Sequence, residues 1–464
     1  MSLAVVIMAA GKGTRLKSRR PKVLHEIGGK PLLAHVIATA AKVVAATDVF
    51  VVVGHEADRV KAAVAESGVN FVLQAEQLGT GHAIQCAQKE IARYTDIIVL
   101  SGDAPLIRPE TIEKMLNFHG RHDAAMTILS AVPENPFGYG RVLRKGGNSP
   151  DVEAIVEQKA LTPDQTAIAE INSGIYVFRT APLLEHLGKL NAANSQGEYY
   201  LTDLARLFAS AGETVVAVEA PEADEVLGAN TIPELVALDA TLRARAALRL
   251  MLEGVTIFRP ETCLIDAEVE VGHDTVIEPF VQLLGKTRIG SDCLIRSGTV
   301  IENSIVADAV LIRQHCIITD SVIDKAAKIG PFAHLRPGSE IGEDAHIGNF
   351  VETKKTRLGK GAKASHLTYL GDAIVGAGSN IGAGVITCNY DGVNKHTTII
   401  GDGAFIGSDS TLVAPVSVGN GAYIGAGSCI TREVPADALA VARSRQVTKE
   451  GWAAAKRSRQ KDQC

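Results

Sequence analysis

Residues 8–24 read MAAGKGTRLKSRRPKVL, with Gly11 and Gly13 flanking Lys12 straight after an apolar run and with Arg15 and Lys22 close behind. Two glycines let backbone N–H groups converge on an anion, and the cations supply charge, so the segment suits a polyphosphate. It is neither a Walker loop nor GxGxxG, and a plain surface turn is the simpler role for such a stretch. Asp103 closes the apolar run Ile97–Leu100 in LSGDAPL. Its carboxylate therefore projects from the carboxyl end of a strand, where open α/β sheets bind ligands. Asn230, in LGANT, offers a neutral oxygen, and the pair would suit Mg²⁺, a hard cation that keeps most of its waters. A turn-forming aspartate and a helix-capping asparagine are the ordinary uses of these residue types.

Such groups need a scaffold behind them. Before residue 230, the apolar runs Val49–Val53, Ile97–Leu100, Ala124–Leu129, Ile175–Phe178 and Thr214–Val218 alternate with helical stretches, the pattern of a doubly wound, mostly parallel α/β sheet. Leu3–Ala10 has no cationic segment before it and a glycine loop after it, which fits a buried strand rather than a signal peptide. Between Pro233 and Leu252, Leu235, Leu238, Leu242 and Leu252 mark one amphipathic connecting helix that Gly254 stops.

Beyond Gly254 the period changes to six. Ile265, Val271, Ile277, Leu283, Ile289, Ile295 and Ile301 form one run; Ile323, Ile329, Leu335, Ile341 and Ile347 a second; Ile400, Ile406, Leu412, Val418, Ile424 and Ile430 a third. An aliphatic residue at each sixth position, often followed by glycine, describes an all-β triangular coil whose short strands each point one side chain inward. A β-sandwich would instead show alternation over two residues. The rule breaks at 349–372 and 387–398, where polar residues intrude; these should be loops or coil faces under functional demand.

With 464 residues the chain exceeds one hydrophobic core. Its 47 Lys plus Arg against 52 Asp plus Glu leave a net charge of −5, which gives no general attraction to nucleic acid or anionic membrane. No stretch approaches membrane-spanning length. The seven cysteines, at 86, 263, 293, 316, 388, 429 and 464, never form a CxxC pair. That argues against zinc and disulfide frameworks and for a reducing cytoplasm.

AAGKGTRL with PKVL, QAEQLGTGHA, SGDAPL, GYGRV, VEQK, EINSGIYVF, QGEYYLTD and LGAN resemble the sugar-1-phosphate uridylyltransferases. LRPG, IGNFVETKK, ASHLTYLGD, NIGAG and ITCNYDGVNKH resemble the acetyltransferase half of the bacterial bifunctional N-acetylglucosamine-1-phosphate uridylyltransferase/glucosamine-1-phosphate acetyltransferases. The likeness covers nearly the whole chain. It implies a Rossmann-like nucleotidyltransferase domain (1–228), a linker helix (229–251), a left-handed hexapeptide-repeat parallel β-helix (252–437) and a C-terminal tail (438–464) whose end, after Gly451, reads as disordered. A homotrimer with acetyl sites built between neighbours, and a product that feeds peptidoglycan and lipopolysaccharide synthesis, are further implications.

In the first domain the resemblance assigns Ala9, Ala10, Gly11, Gln74, Gly79 and Thr80 to UTP, with Ser101 and Gly102 beside the metal pair Asp103 and Asn230. Arg15 and Lys22 would neutralise charge building on the transferring phosphoryl group. Gly140, Glu157 and Asn172 would hold the sugar. The family often has an aromatic residue where Ser101 stands. In the second domain a base must deprotonate the amino sugar before it attacks the acetyl-CoA thioester. The resemblance offers His366, with Glu352 as its orienting carboxylate, although a lone histidine is more commonly structural. Arg336, Lys354, Tyr369 and Asn380 would clamp glucosamine-1-phosphate, and Ala383, Asn389, Tyr390, Ser408, Ala426 and Arg443 would contact acetyl-CoA. The family's Ala-Arg-Leu-Arg-Pro reads Ala-His-Leu-Arg-Pro here, so His334 leaves the first arginine's role without support. The rival reading is a single-activity nucleotidyltransferase whose β-helix is a non-catalytic scaffold.

Overall fold

The computed structural model describes residues 2–146, 149–194 and 196–461. The chain divides into two compact units between Leu242 and Arg243. In the first, Leu3–Ala9 lies between Val49–Val53 and Asp96–Ser101, parallel to both. Asn70–Leu73 extends one edge, and Ile171–Arg179, Met126–Ala131 and Val215–Glu219 extend the other. The apolar runs are buried on both faces. Val6, Val52, Val99 and Phe178 belong to one hydrophobic layer, and Val5, Ile7, Val51 and Ile98 to the opposite one. This is the two-sided burial expected of parallel strands covered by helices. Ile171–Arg179 runs antiparallel to both neighbours, a reversal that apolar content does not encode.

The connecting helix spans Ile232–Leu252. Leu238 is buried with Ile27, Leu32, Leu106 and Ala229, with Leu235 and Leu242 packed against them. Leu252, expected on the same stripe, is instead 81% exposed, and Leu250 is fully buried. Leu250 belongs with Ala246 and Ala247 to the core of the second unit, so the buried face of the helix changes along its length.

The second unit is three parallel sheets of 11, 10 and 9 short strands. Up to Thr411–Val413, each strand pairs with the strand three further along the chain: Ile265 faces Leu283, and Ile277 faces Ile295. Every residue of the three six-spaced runs is buried. The gap between the first two runs holds two one-residue shortenings of the coil, one before Val306 and one before Ile323. Ile289, Ile295 and Ile301 pair with Val306, Ile312 and Ile318, which continue the column out of phase. Of the two interruptions, 349–372 remains coiled, with Thr353 buried at the inward position. In the second, a loop is extruded between Ile386–Cys388 and Thr398–Ile400, and the pairing resumes beyond it with Ile381 against Ile406.

Beyond residue 437, Leu439–Ala440 still pairs with Tyr423–Ile424. The stretch after Gly451, expected to be disordered, forms a helix, Trp452–Lys461, because alanine, lysine, arginine and glutamine are strong helix formers. Residues 462–464 of the expected tail, with Cys464, lie outside the described residues. The other six cysteines are free, so no disulfide exists among the described residues. No helix of the described residues is long and apolar enough to cross a membrane.

Coil stacking sets a sharp steric test. A Cβ at Gly348 would overlap the backbone carbonyl of Ser365 on the next coil, whereas one at Gly361 meets nothing within 4 Å and is strained only by its φ of +66°. Gly348→Ala should therefore destabilise the second unit by more than Gly361→Ala, whose left-handed backbone costs about 1–2 kcal/mol. Urea unfolding followed by circular dichroism gives the order, and equal midpoints would contradict it.

Candidate active site

The strand pairing Met8 to Ser101 brings the glycine loop and the LSGDAPL turn out of the sheet side by side. Between them opens a cleft of about 660 Å³ that gathers Ala9, Ala10, Gly11, Lys22, Gln74, Gly79, Thr80, Ser101 and Asp103. Gly102 lies beneath, its N–H donating to the Met8 carbonyl at 3.0 Å. Gly13 has a φ of +64°, and a side chain there would collide with Lys22. Glycine is thus what allows the lysine stem to cross the loop.

Lys22 is central. Its ammonium contacts Asp103 Oδ2 and donates to Asn230 Oδ1 at 2.7 Å. Arg15 Nη2 donates to the same Asn230 oxygen at 2.7 Å. Ser101, where an aromatic was in question, donates its hydroxyl to Asp103 Oδ1 at 2.5 Å. Burial pushes the Asp103 carboxyl up, but the Lys22 ammonium, the Ser101 hydroxyl and a backbone amide outweigh it and hold it below the usual carboxylate range. Asn230 does not cap the following helix. Thr231 and Glu234 do, and Glu234 also accepts from the Asn230 backbone N–H at 2.7 Å.

An ammonium bridging one carboxylate and one amide oxygen marks a position that attracts a hard cation, so the residues fit Mg²⁺ held through few protein ligands. No cluster of three or more His, Cys, Asp or Glu suited to a metal occurs among the described residues.

Gly140, Glu157 and Asn172 are drawn together, with Glu157 close enough to feel Glu198, which lines that cleft. The Asn172 N–H donates to the Gly140 carbonyl at 2.9 Å. A Cβ on Gly140 would lie 3.6 Å from Glu157 Oε2. Asn172 Nδ2 donates to the Tyr176 hydroxyl at 2.9 Å, and Glu157 accepts from Thr202 at 3.0 Å. Burial raises the Glu157 carboxyl, the Thr202 hydroxyl partly opposes this, and Asp203 and Glu198 add to it.

In the β-helix, Glu352 pairs in register with Tyr369, and Asn349 with His366. His366 Nδ1 lies 2.6 Å from Asn349 Oδ1, while Glu352 is ion-paired to Arg336 at 2.8 Å. The carboxylate expected to orient His366 is therefore engaged with the guanidinium instead, and an asparagine holds the imidazole. Lys354 stands beside Lys395, whose ammonium, with burial and Arg336 adding to it, holds the Lys354 amine below its usual range. Asn380 is paired with Lys363 and Phe405 on a neighbouring sheet. Asn389 donates to Asp372 at 2.5 Å, and the Tyr390 hydroxyl to the Gly392 carbonyl at 2.5 Å. Ala383 and Ser408 sit at successive corners: the Asp409 N–H donates to the Ala383 carbonyl at 2.7 Å, and the Gly427 N–H to that of Ser408 at 2.8 Å. Ala426 precedes Gly427, and Arg443 approaches that glycine.

Residues 5–162 match the MobA-like NTP transferase domain family, 259–339 the GMPPB C-terminal domain and 397–432 six bacterial transferase hexapeptide repeats. The "Bifunctional protein GlmU" of Koribacter versatilis (strain Ellin345) is 61% identical over 459 residues, covering 99% of this chain and 98% of that one. The chain belongs to the GlmU family. GlmU proteins of Anaeromyxobacter sp. (strain Fw109-5), 49% identical over 98% of this chain and 93% of that one, and of Trichlorobacter lovleyi, 46% identical over 98% of each, agree. As a GlmU family member the chain is a bifunctional uridylyltransferase and acetyltransferase. Its fold is the expected Rossmann-like nucleotidyltransferase domain followed by a left-handed hexapeptide β-helix.

Several neighbours of these GlmU groups were not legible beforehand. Tyr139, its hydroxyl pushed up by burial, lies by the Gly228 backbone and close enough to Asp103 to feel its charge. A Cβ on Gly228 would lie 2.7 Å from Asp103 Oδ2, so only glycine lets that backbone approach. Asn349 and Lys395 sit inside quoted motifs, IGNF and GVNKH, but nothing in their local spacing marks their partners.

Glu157 generates a pH prediction. Its folded-state pKa is raised, so the stability present below the unfolded value of about 4.5 is lost as the pH climbs through the folded one. Glu157→Gln, which cannot ionise, should gain stability relative to the parent between pH 4.5 and neutrality. Thermal unfolding of both across that range measures the gap, and a constant gap would refute the shift.

Proposed function

We propose that the chain acetylates glucosamine-1-phosphate with acetyl-CoA and then couples the product to UTP, releasing pyrophosphate and UDP-N-acetylglucosamine. Residues 1–228 would carry uridylyl transfer and residues 252–437 acetyl transfer, the helix between them acting as linker. The observation that favours two activities over a scaffold is the convergence of Lys354, Lys395 and Arg336. Glu352 pairs with Arg336 and Asp372 acts on Lys354, which leaves three cations against two carboxylates, an excess of positive charge that a phosphomonoester dianion would meet.

His366 then has a defined role. Asn349 Oδ1 can only accept, so the proton sits on Nδ1 and the Nε2 lone pair is left for the ammonium of the amino sugar. Glu352 acts through Arg336, holding the guanidinium in the clamp with Tyr369 and Asn380. Ala383, Asn389, Tyr390, Ser408, Ala426 and Arg443 would seat acetyl-CoA along the coil corners.

In the first unit, Ala9, Ala10, Gly11, Gln74, Gly79 and Thr80 bind the nucleotide, with Gly140, Glu157 and Asn172 on the sugar. Mg²⁺, held by Asp103 and Asn230, would screen phosphate charge. Lys22 and Arg15 release Asn230 and turn to the phosphates as these enter, because a polyphosphate outcompetes one amide oxygen for two cations. A homotrimer in the cytoplasm completes the proposal.

Incubation with glucosamine-1-phosphate, acetyl-CoA, UTP and Mg²⁺, with free thiol and pyrophosphate followed separately, tests the whole. Pyrophosphate from N-acetylglucosamine-1-phosphate without thiol from glucosamine-1-phosphate would leave only the scaffold reading. His366→Ala should lower acetyl-transfer kcat by about 10²-fold or more, the usual worth of a positioned base, and leave uridylyl transfer intact. Asp103→Ala should do the reverse, abolishing pyrophosphate release while thiol release continues. Steady-state kinetics of each variant in both assays decides, and a loss shared equally by both activities would point to unfolding instead.

A further inference from the structure

Two stretches of chain carry the oxygens proposed to hold Mg²⁺, and they are tied to each other at both ends. At the cleft end the Ala229 N–H donates to the Asp103 carbonyl at 3.3 Å, and Gly228 presses on the Asp103 carboxylate. At the far end Arg108 Nη2 lies 2.7 Å from both Glu222 Oε1 and Glu225 Oε1. The Thr111 hydroxyl donates to the other oxygen of Glu225. Arg108 follows Asp103 by five residues, and Glu225 precedes Asn230 by five. The second tie is thus set back equally along both strands of the loop pair.

We infer that Glu225, through Arg108 and Thr111, is a positioning residue that fixes the separation of Asp103 from Asn230 and so sets the affinity of that pair for a divalent cation. This rests on the reading of Asp103 and Asn230 as the Mg²⁺ ligands. The Glu225 side chain is fully buried, while those of Arg108 and Glu222 are 39% and 55% exposed. A carboxylate withdrawn from water is compensated only if its partners hold one geometry, and apolar residues could have filled the same space at no loss of stability. An ionic tie therefore specifies register between the two segments. Neither segment pairs with the other as a strand, so no ladder of backbone hydrogen bonds would otherwise set it.

The test uses the full-length protein and two readouts: the Mg²⁺ concentration for half-maximal pyrophosphate release, and the binding of Mn²⁺ alone, read from the electron paramagnetic resonance signal of the free ion. Glu225→Gln keeps the shape and the Thr111 contact but loses the charge, and leaves Arg108 paired with Glu222. It should raise the Mg²⁺ requirement about tenfold or more, the usual cost of disturbing groups that orient metal ligands, and weaken Mn²⁺ binding in step. Maximal kcat should fall far less, and thiol release should not change. A folded Glu225→Gln with the parent's Mg²⁺ requirement and Mn²⁺ binding overturns the inference, as does a fall in kcat alone. If Glu225→Gln fails to fold, Thr111→Val decides: a smaller shift of both readouts in the same direction supports the role, and none removes it. Asp103→Asn separates the two readings, because parent-like Mn²⁺ binding there would sink the metal assignment itself.

Discussion

Three inward side chains per coil form the column on which the second unit depends, with smaller buried residues such as Val281, Cys293 and Ala333 packed beside it. Each buried aliphatic rests on the one above and the one below, so the core is a column without a centre. Polar work is then confined to the outer faces and corners. There, a residue meets its partner on the neighbouring coil rather than along its own strand. Arg357 reaches Glu340 and Lys360 reaches Glu343 in this way, as Asn389 reaches Asp372 and His366 reaches Asn349. The exposed ion pairs add little to stability, but the same geometry makes the histidine's tautomer a property of the coil beneath it.

The first unit solves a different problem. Its central strands end at a cleft where cations, a carboxylate and glycine backbones crowd together, and the crowding is held by exchange of partners rather than by packing. Lys22 neutralises Asp103 and shares Asn230 with Arg15, so each of these groups has a partner in the free site. In the proposed reaction a phosphate and its cation would exchange one set of partners for another. That permits buried charge at the carboxyl end of the sheet without stranding any of it.

The residue types were legible and their partners were not. Glycines, cations and an aspartate after an apolar run are read as suited to phosphate because backbone donors and charge are what phosphate needs, and they do line one cleft. The inward aliphatics announce themselves by strict period. Ser101 as donor to Asp103, Tyr139 against Gly228 and Lys395 against Lys354 depend on distances that only folding sets. Asn349 stayed hidden for a sharper reason: it lies seventeen residues before His366, and a partner one coil away is readable only when the coil length is known. The one-residue shortening after Ile301 conceals that length, since it breaks the six-residue count while leaving the column intact.

Pairing steps of eighteen residues, of seventeen, and of twenty-five across the extruded loop all produce the same rise between adjacent strands, about 4.7–4.9 Å. Height along the axis is therefore counted in turns, not in residues. The solenoid behaves as a screw thread of fixed pitch, on which an insertion at a corner widens one turn and leaves every later group at its former level. Ser408 and Arg443 lie beyond the loop that bears Asn389 and Tyr390, yet the loop's length does not displace them along the axis. The reach of that loop can change while the groups on later turns keep their stations.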